Sequence, residues 1–245
     1  MLWAFVPALS PAQERQDVPP FDTLYNEDST VMNSFRYGPY KLGDTTFFYE
    51  GCWHDGKYTE KCRVYIDRDS TSAKFKRMMG WALDSRRRKY DIEYLVRKIK
   101  ARGLDFPCPD MGDLKGVFLP LRSLNGEVVT SDYQLFTAYI SDSVVVWHEF
   151  DFWPYAIQKV NHVSPDVTIA EAISDRGDHV QFWINMVDAE RRVIRIHSTS
   201  DSYVPEGYYV HSSRAGSFPL LVWDTDHVPD EVNLQFGTLT DDDFR

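Results

Sequence analysis

From residue 116 onward the chain is a succession of short β-prone runs separated by turn signals, and this feature most limits what it can fold into. Runs at 116–121, 127–130, 133–140, 143–152, 180–187, 193–197, 207–211, 218–223 and 232–236 are rich in Val, Ile, Tyr, Phe and Trp. Asn125-Gly126 and the polar stretch 188–190 fall between them as turns. Residues 168–173 read as a single helical turn. Many strands joined by short turns argue for a mainly β (α+β) fold, an antiparallel β-sandwich of which the jelly roll is one form, with helices packed outside it. An aromatic content of 15% agrees with a strand-rich chain that buries many rings.

The first hundred residues read differently. Residues 1–40, punctuated by Pro7, Pro11, Pro19, Pro20 and Pro39, read as an extended N-terminal arm with a short helix at 10–16. Trp3, Phe5, Phe21 and Tyr25 make that arm too aromatic to stay in water, so it is expected to pack on its own domain or on a neighbour. Its first nine residues are apolar but lack a basic flank and meet Pro7, which argues against a cleaved leader. The remainder, 41–245, reads as one β-sandwich domain. It opens with a hairpin whose turn signal is Asp55-Gly56, and Cys52 and Cys62 are placed to face each other across it. Helices follow at about 72–84, capped by Ser70, Thr71 or Ser72, and at about 91–102, capped by Asp91 and stopped by Gly103.

Charge divides the chain sharply. The balance is 27 basic to 37 acidic residues, a net −10, which argues against a general nucleic-acid binder. Yet residues 70–103 hold eleven cations against three acids, leaving sixteen against thirty-four elsewhere. Such a chain is self-complementary: copies can dock basic face to acidic face. The run Arg86, Arg87, Arg88 and Lys89, with Arg97 and Lys98, is the expected contact, either with a neighbour's acids or with the phosphates of a nucleotide held between subunits.

Catalytic signatures are weak. No Gly-x-Ser-x-Gly elbow and no phosphate-binding glycine loop occurs. Cys108 stands between two prolines with no cue for a paired histidine. His148 with Asp151, and Asp224 with Asp226 and His227, bring imidazole and carboxylate together near strand ends, but neither has a recognised metal-ligand spacing and ordinary turns account for both. The expectation is therefore no catalytic residue, no metal and no resident cofactor beyond that nucleotide. The alternative is a carbohydrate-binding module or glycoside-active β-sandwich enzyme, with Trp147, Phe150, Asp151 and Trp153, or Trp223, Asp224 and Asp226, as stacking faces and carboxylates.

The segment 47–96 sets an aromatic strand, Phe-Phe-Tyr-Glu-Gly-Cys-Trp, before a His-Asp-Gly-Lys turn, a charged strand, a Ser/Thr-led helix and Tyr-Asp-Ile-Glu-Tyr. This order resembles the N-terminal half of cypovirus polyhedrins, over about a fifth of the chain. The apolar start Met1-Leu2-Trp3-Ala4-Phe5 departs from the polar N-terminal helix of that family. The resemblance implies a self-assembling viral structural protein whose trimers form an intracellular crystalline occlusion body. Its partners would be itself and the virions it shelters, with no membrane, in the cytoplasm of an infected host cell, and alkali would release it. Without the resemblance, the same residues read as a cytoplasmic soluble protein.

Overall fold

The protein is described by a computed structural model covering residues 18–55, 58–105, 107, 109–132, 136–148, 152–199, 206–224, 232 and 234–245, with only the backbone described at Asp55 and Arg87. In chain order its elements begin with β1 (Asp22–Tyr25), β2 (Val31–Leu42), β3 (Thr45–Asp55), β4 (Tyr58–Asp67), α1 (Ala73–Ala82) and α2 (Ser85–Ala101). There follow β5 (Gly116–Pro120), β6 (Arg122–Leu124), β7 (Glu127–Ser131), β8 (Thr137–Ile140), β9 (Val144–His148), β10 (Phe152–Ser164) and β11 (Val167–Ser174). The last are β12 (His179–Asp188), β13 (Val193–Ser198), β14 (Gly207–His211), β15 (Leu220–Asp224) and β16 (Phe236–Gly237).

The fold is mainly β, with the α+β character expected. Eight strands close on themselves in the order β10-β11-β12-β13-β14-β5-β8-β9, every neighbouring pair antiparallel. The other eight form an open sheet, β1-β2-β3-β4-β15-β7-β6-β16, antiparallel except where β15 runs parallel to β7.

Period-two alternation sorts the side chains. Along the barrel strands Phe118, Ile140, Val145, Trp147, Tyr155, Ile157, Phe182, Ile184, Ile194, Ile196 and Tyr209 share one buried cluster, the barrel interior. Their sequence neighbours Leu119, Val193, Tyr208 and Val210 point outward and meet Leu220 and Val222 of β15 and Met78 and Ala82 of α1. Leu221, one residue out of phase, turns to the opposite face with Val64, Ile66, Phe48 and Val129. β9 is buried on both faces because α2 lays Leu95 and Ile99 against Val144 and Val146. Tight turns occur where the sequence asks for them: Asn125 and Gly126 both take positive φ between Leu124 and its partner Glu127.

Several expectations are corrected. Residues 31–40 are not arm but most of β2, paired along β3; a register irregularity between Tyr37 and Tyr40 takes up Gly38-Pro39, since proline cannot donate to the ladder. Residues 168–173 are not a helical turn but the middle of β11, held between β10 and β12. The 143–152 run is not one strand: β9 ends at His148 and Phe152 starts β10. Among the described residues of 232–236, only Phe236 joins a strand. Helix α2 starts six residues early, with Asp84 accepting from Arg86 N as cap, and Asp91 is a buried residue inside it. Cys52 pairs with Lys61, and Cys62 with Gly51; this one-residue offset puts the two thiols on opposite faces, and neither is in a disulfide. The expected helix at 10–16 and Cys108 lie outside the described residues. Among the described residues, no helix is long and apolar enough to cross a membrane.

Candidate functional site

Helix α2 carries much of the basic segment, most of it on the solvent side with one cation turned inward. Its inner face, Leu95 and Ile99, is fully buried. Arg88 lies on this inner side, donating to Ala82 O at 2.7 Å and Leu83 O at 2.8 Å with its guanidinium 5.4 Å from the Tyr139 ring centre. It satisfies carbonyls at the C-terminal end of α1, and its burial removes it from the expected phosphate contacts. Arg86 reaches outward and folds back on Asp84, with its Nη2 2.7 Å from the carboxylate, which holds that carboxyl well below the usual range. Lys89, Arg97 and Lys98 are exposed, Lys98 lying 5.3 Å from the Tyr94 ring. Among the described side chains the expected phosphate-binding set is therefore divided: Arg88 is internal, Arg86 is paired with Asp84, and Lys89, Arg97 and Lys98 face solvent, while the side chain of Arg87 lies outside the described ones.

Of the aromatic arm, Trp3 and Phe5 lie outside the described residues. Phe21 and Tyr25 flank β1, the terminal strand of the open sheet. With Leu24, and with Val31 and Met32 of β2, they leave an exposed apolar strip there, Tyr25 being 62% exposed. Phe21 also meets Arg36, whose guanidinium lies 4.4 Å from its ring centre and 4.7 Å from that of Tyr40. Arg36 and Tyr40 both donate to Glu50, and Arg63 adds a second cation at 3.4 Å. This network fastens the β2–β3–β4 ladder beneath the strip.

Sequence reasoning missed Asp132. It follows β7 at the carboxyl end of the parallel β7–β15 pair, where open sheets leave room for ligands. Its N–H donates to Leu221 O and its carboxylate accepts from Trp223 N at 2.6 Å. Burial, the dominant influence, pushes its carboxyl up to about 6; Asp224 adds to the rise, while Trp223 N–H, Arg77 and Lys74 oppose it. Asp224 itself pairs with Lys74 and, at 3.8 Å, with Arg77. A carboxyl raised by burial beside a second carboxyl is an arrangement that acid–base chemistry uses. Nothing in the sequence marks it, because a polar residue after a strand is the commonest turn.

The other expected chemistry separates. Trp147 is core, which removes it from the expected stacking faces, and Trp153 packs partly buried on the same cluster. His148 is buried and stacked on Trp81, ring centres 5.1 Å apart. Phe150, Asp151, Asp226 and His227 lie outside the described residues. Among the described residues, no group of three His, Cys, Asp or Glu could hold a metal ion. Comparison with known proteins finds no matching family model, no similar curated protein and no similar solved structure.

Proposed function

We propose that this chain is a self-assembling structural protein, copies of which associate through the free edge of the open sheet. One observation carries the reading: among the described residues β1 ends the sheet with a row of main-chain groups facing no further strand, beside exposed Phe21, Leu24, Tyr25, Val31 and Met32. Natural edges are usually guarded by charge, and β1 carries a single charged residue, Asp22. Apolar side chains beside an open edge suit strand addition by a second chain. Sedimentation velocity over a concentration series tests it: the wild type should associate and Leu24→Lys should shift to monomer. A wild type that stays monomeric at high concentration refutes the reading.

The narrower form, a matrix protein of a crystalline occlusion body that shelters virions in the cytoplasm of an infected cell, draws its support from the resemblance over 47–96, which spans β3, β4, α1 and much of α2. Electron microscopy of cells expressing the chain should show crystalline bodies that dissolve in alkali. A second reading, a carbohydrate-binding or glycoside-active protein, draws support from Asp132 and Asp224 beside Trp223. Titration with oligosaccharides and an assay for released reducing ends, each repeated with Asp132→Asn, would separate it from the first.

A further inference from the structure

We propose that the corner between α1 and α2 is a docking surface for the acidic face of a second copy of this chain. The inference rests on the self-assembly reading and adds to the sheet edge a second surface with a named counterpart.

The corner combines the residue types that dominate binding energy at protein interfaces. Trp81, in the last turn of α1, and Leu83, its C-cap, are both 46% exposed, and Tyr90 of α2 is 64% exposed. Three large apolar side chains thus stand exposed within the ten residues from Trp81 to Tyr90, with Trp81 also stacked on His148. Cations continue the patch along α2. Arg86, Lys89, Tyr90, Glu93, Arg97 and Lys100 recur at three- and four-residue spacings, opposite the buried Leu95 and Ile99, and so share the outer face. With Lys98 and Arg102, six exposed cations stand against Asp84 and Glu93. Asp91 is buried on the inner side and does not dilute the patch.

Charge complementarity selects the occupant. Outside 70–103 the chain holds thirty-four acids and sixteen cations, so the rest of every copy carries an excess of negative charge for the basic corner of a neighbour to meet. Docking corner to acidic face is heterologous: each contact uses the corner of one copy and the acidic face of another, and leaves one surface of each kind free on the pair. Contacts of that type extend into rings or open arrays, which a symmetric edge-to-edge pairing alone does not.

The test compares two double variants with the same change in net charge. Lys89→Glu/Arg97→Glu reverses the corner, whereas Lys61→Glu/Arg214→Glu alters exposed residues elsewhere. Each is followed by sedimentation velocity of the full chain at low and high salt, with circular dichroism to confirm folding. The proposal expects association of the wild type to weaken about tenfold or more on corner reversal, to weaken with salt, and to survive the control change. Tyr90→Ala should weaken it at constant charge. Equal association by both charge variants would overturn the corner while leaving assembly through the edge intact. A monomeric wild type would overturn both readings, and one that instead bound an oligonucleotide at low salt would reassign the patch to a polyanion.

Discussion

The Asp132 carboxylate accepts the Trp223 backbone N–H at 2.6 Å, so a side chain completes the join between β7 and β15. That parallel pair otherwise registers Leu220 with Thr130 and Leu221 with Ser131, and in the order of the described strands it joins β1-β2-β3-β4 to β6 and β16.

Because burial raises this carboxyl from 3.8 to about 6, the folded state holds the proton more tightly than the unfolded chain. The contribution of Asp132 to stability is greatest where it is protonated, falls as pH climbs from about 4 to about 6, and is level above that. Asp132→Asn keeps an acceptor for Trp223 N–H but removes the ionisation. Relative to wild type, the variant should gain about 2 kcal/mol between pH 4 and pH 7. Denaturant unfolding of both proteins across that range measures the difference; a gap that does not change with pH would contradict the assignment.

Arg88 fastens α1 to α2 through the carbonyls of Ala82 and Leu83. Truncation strands those carbonyls at a buried helix end, so Arg88→Ala should cost about 2–3 kcal/mol. Arg97→Ala, on the exposed face, should stay within about 0.5 kcal/mol of wild type. Thermal unfolding of the pair checks the contrast, which the run of like charges from Arg86 to Lys89 does not suggest.

Glu50 gathers Arg36, Tyr40 and Arg63. Glu50→Gln leaves Arg36, a largely buried cation, without its counter-charge and should destabilise by about 2–4 kcal/mol. Burial first, then the hydrogen bond and charge of Glu50, push the Tyr40 phenol up to about 12. The variant should therefore ionise Tyr40 at lower pH, though burial keeps it above the ordinary value. Ultraviolet titration of the phenolate band, with Tyr40→Phe to identify the signal, reads this directly.

Alkali should act in two steps. Phenols in water ionise near pH 10 and lysines lose their protons in the same range, adding negative charge to a chain already at −10 and discharging the lysines of α2. Assemblies should dissolve above about pH 10. The fold should outlast them: Tyr208, like Tyr40, is held up to about 12, by burial first and then by its 2.7 Å hydrogen bond to Asp241. Turbidity should fall before near-ultraviolet circular dichroism does. Simultaneous loss of both signals would contradict the order.

Local chemistry made much of this legible. Period-two runs marked most strands, Ser72 caps α1 as one of three candidates at its start, and Gly103, at positive φ, ends α2. Where the sequence misled, a local signal met a stronger distant one. Asp91 resembled a cap because charged residues from Arg86 to Lys89 show no apolar period, yet these are good helix formers and Asp84 had already closed the N-terminus. Pro39 suggested an arm, but β3 offered β2 a partner along most of its length.

Which residues alternate, cap or turn is a local matter, because those choices depend on neighbours a few positions away. The tertiary fold closes β14 on β5 and β9 on β10, since a strand's own pattern specifies a buried face without naming the strand beside it. It likewise decided that Arg88 is internal and that Asp132 holds its proton near pH 6. Both follow from burial created where distant segments meet, Arg88 between α1, α2 and Tyr139, and Asp132 between β7, β15 and the cations of α1.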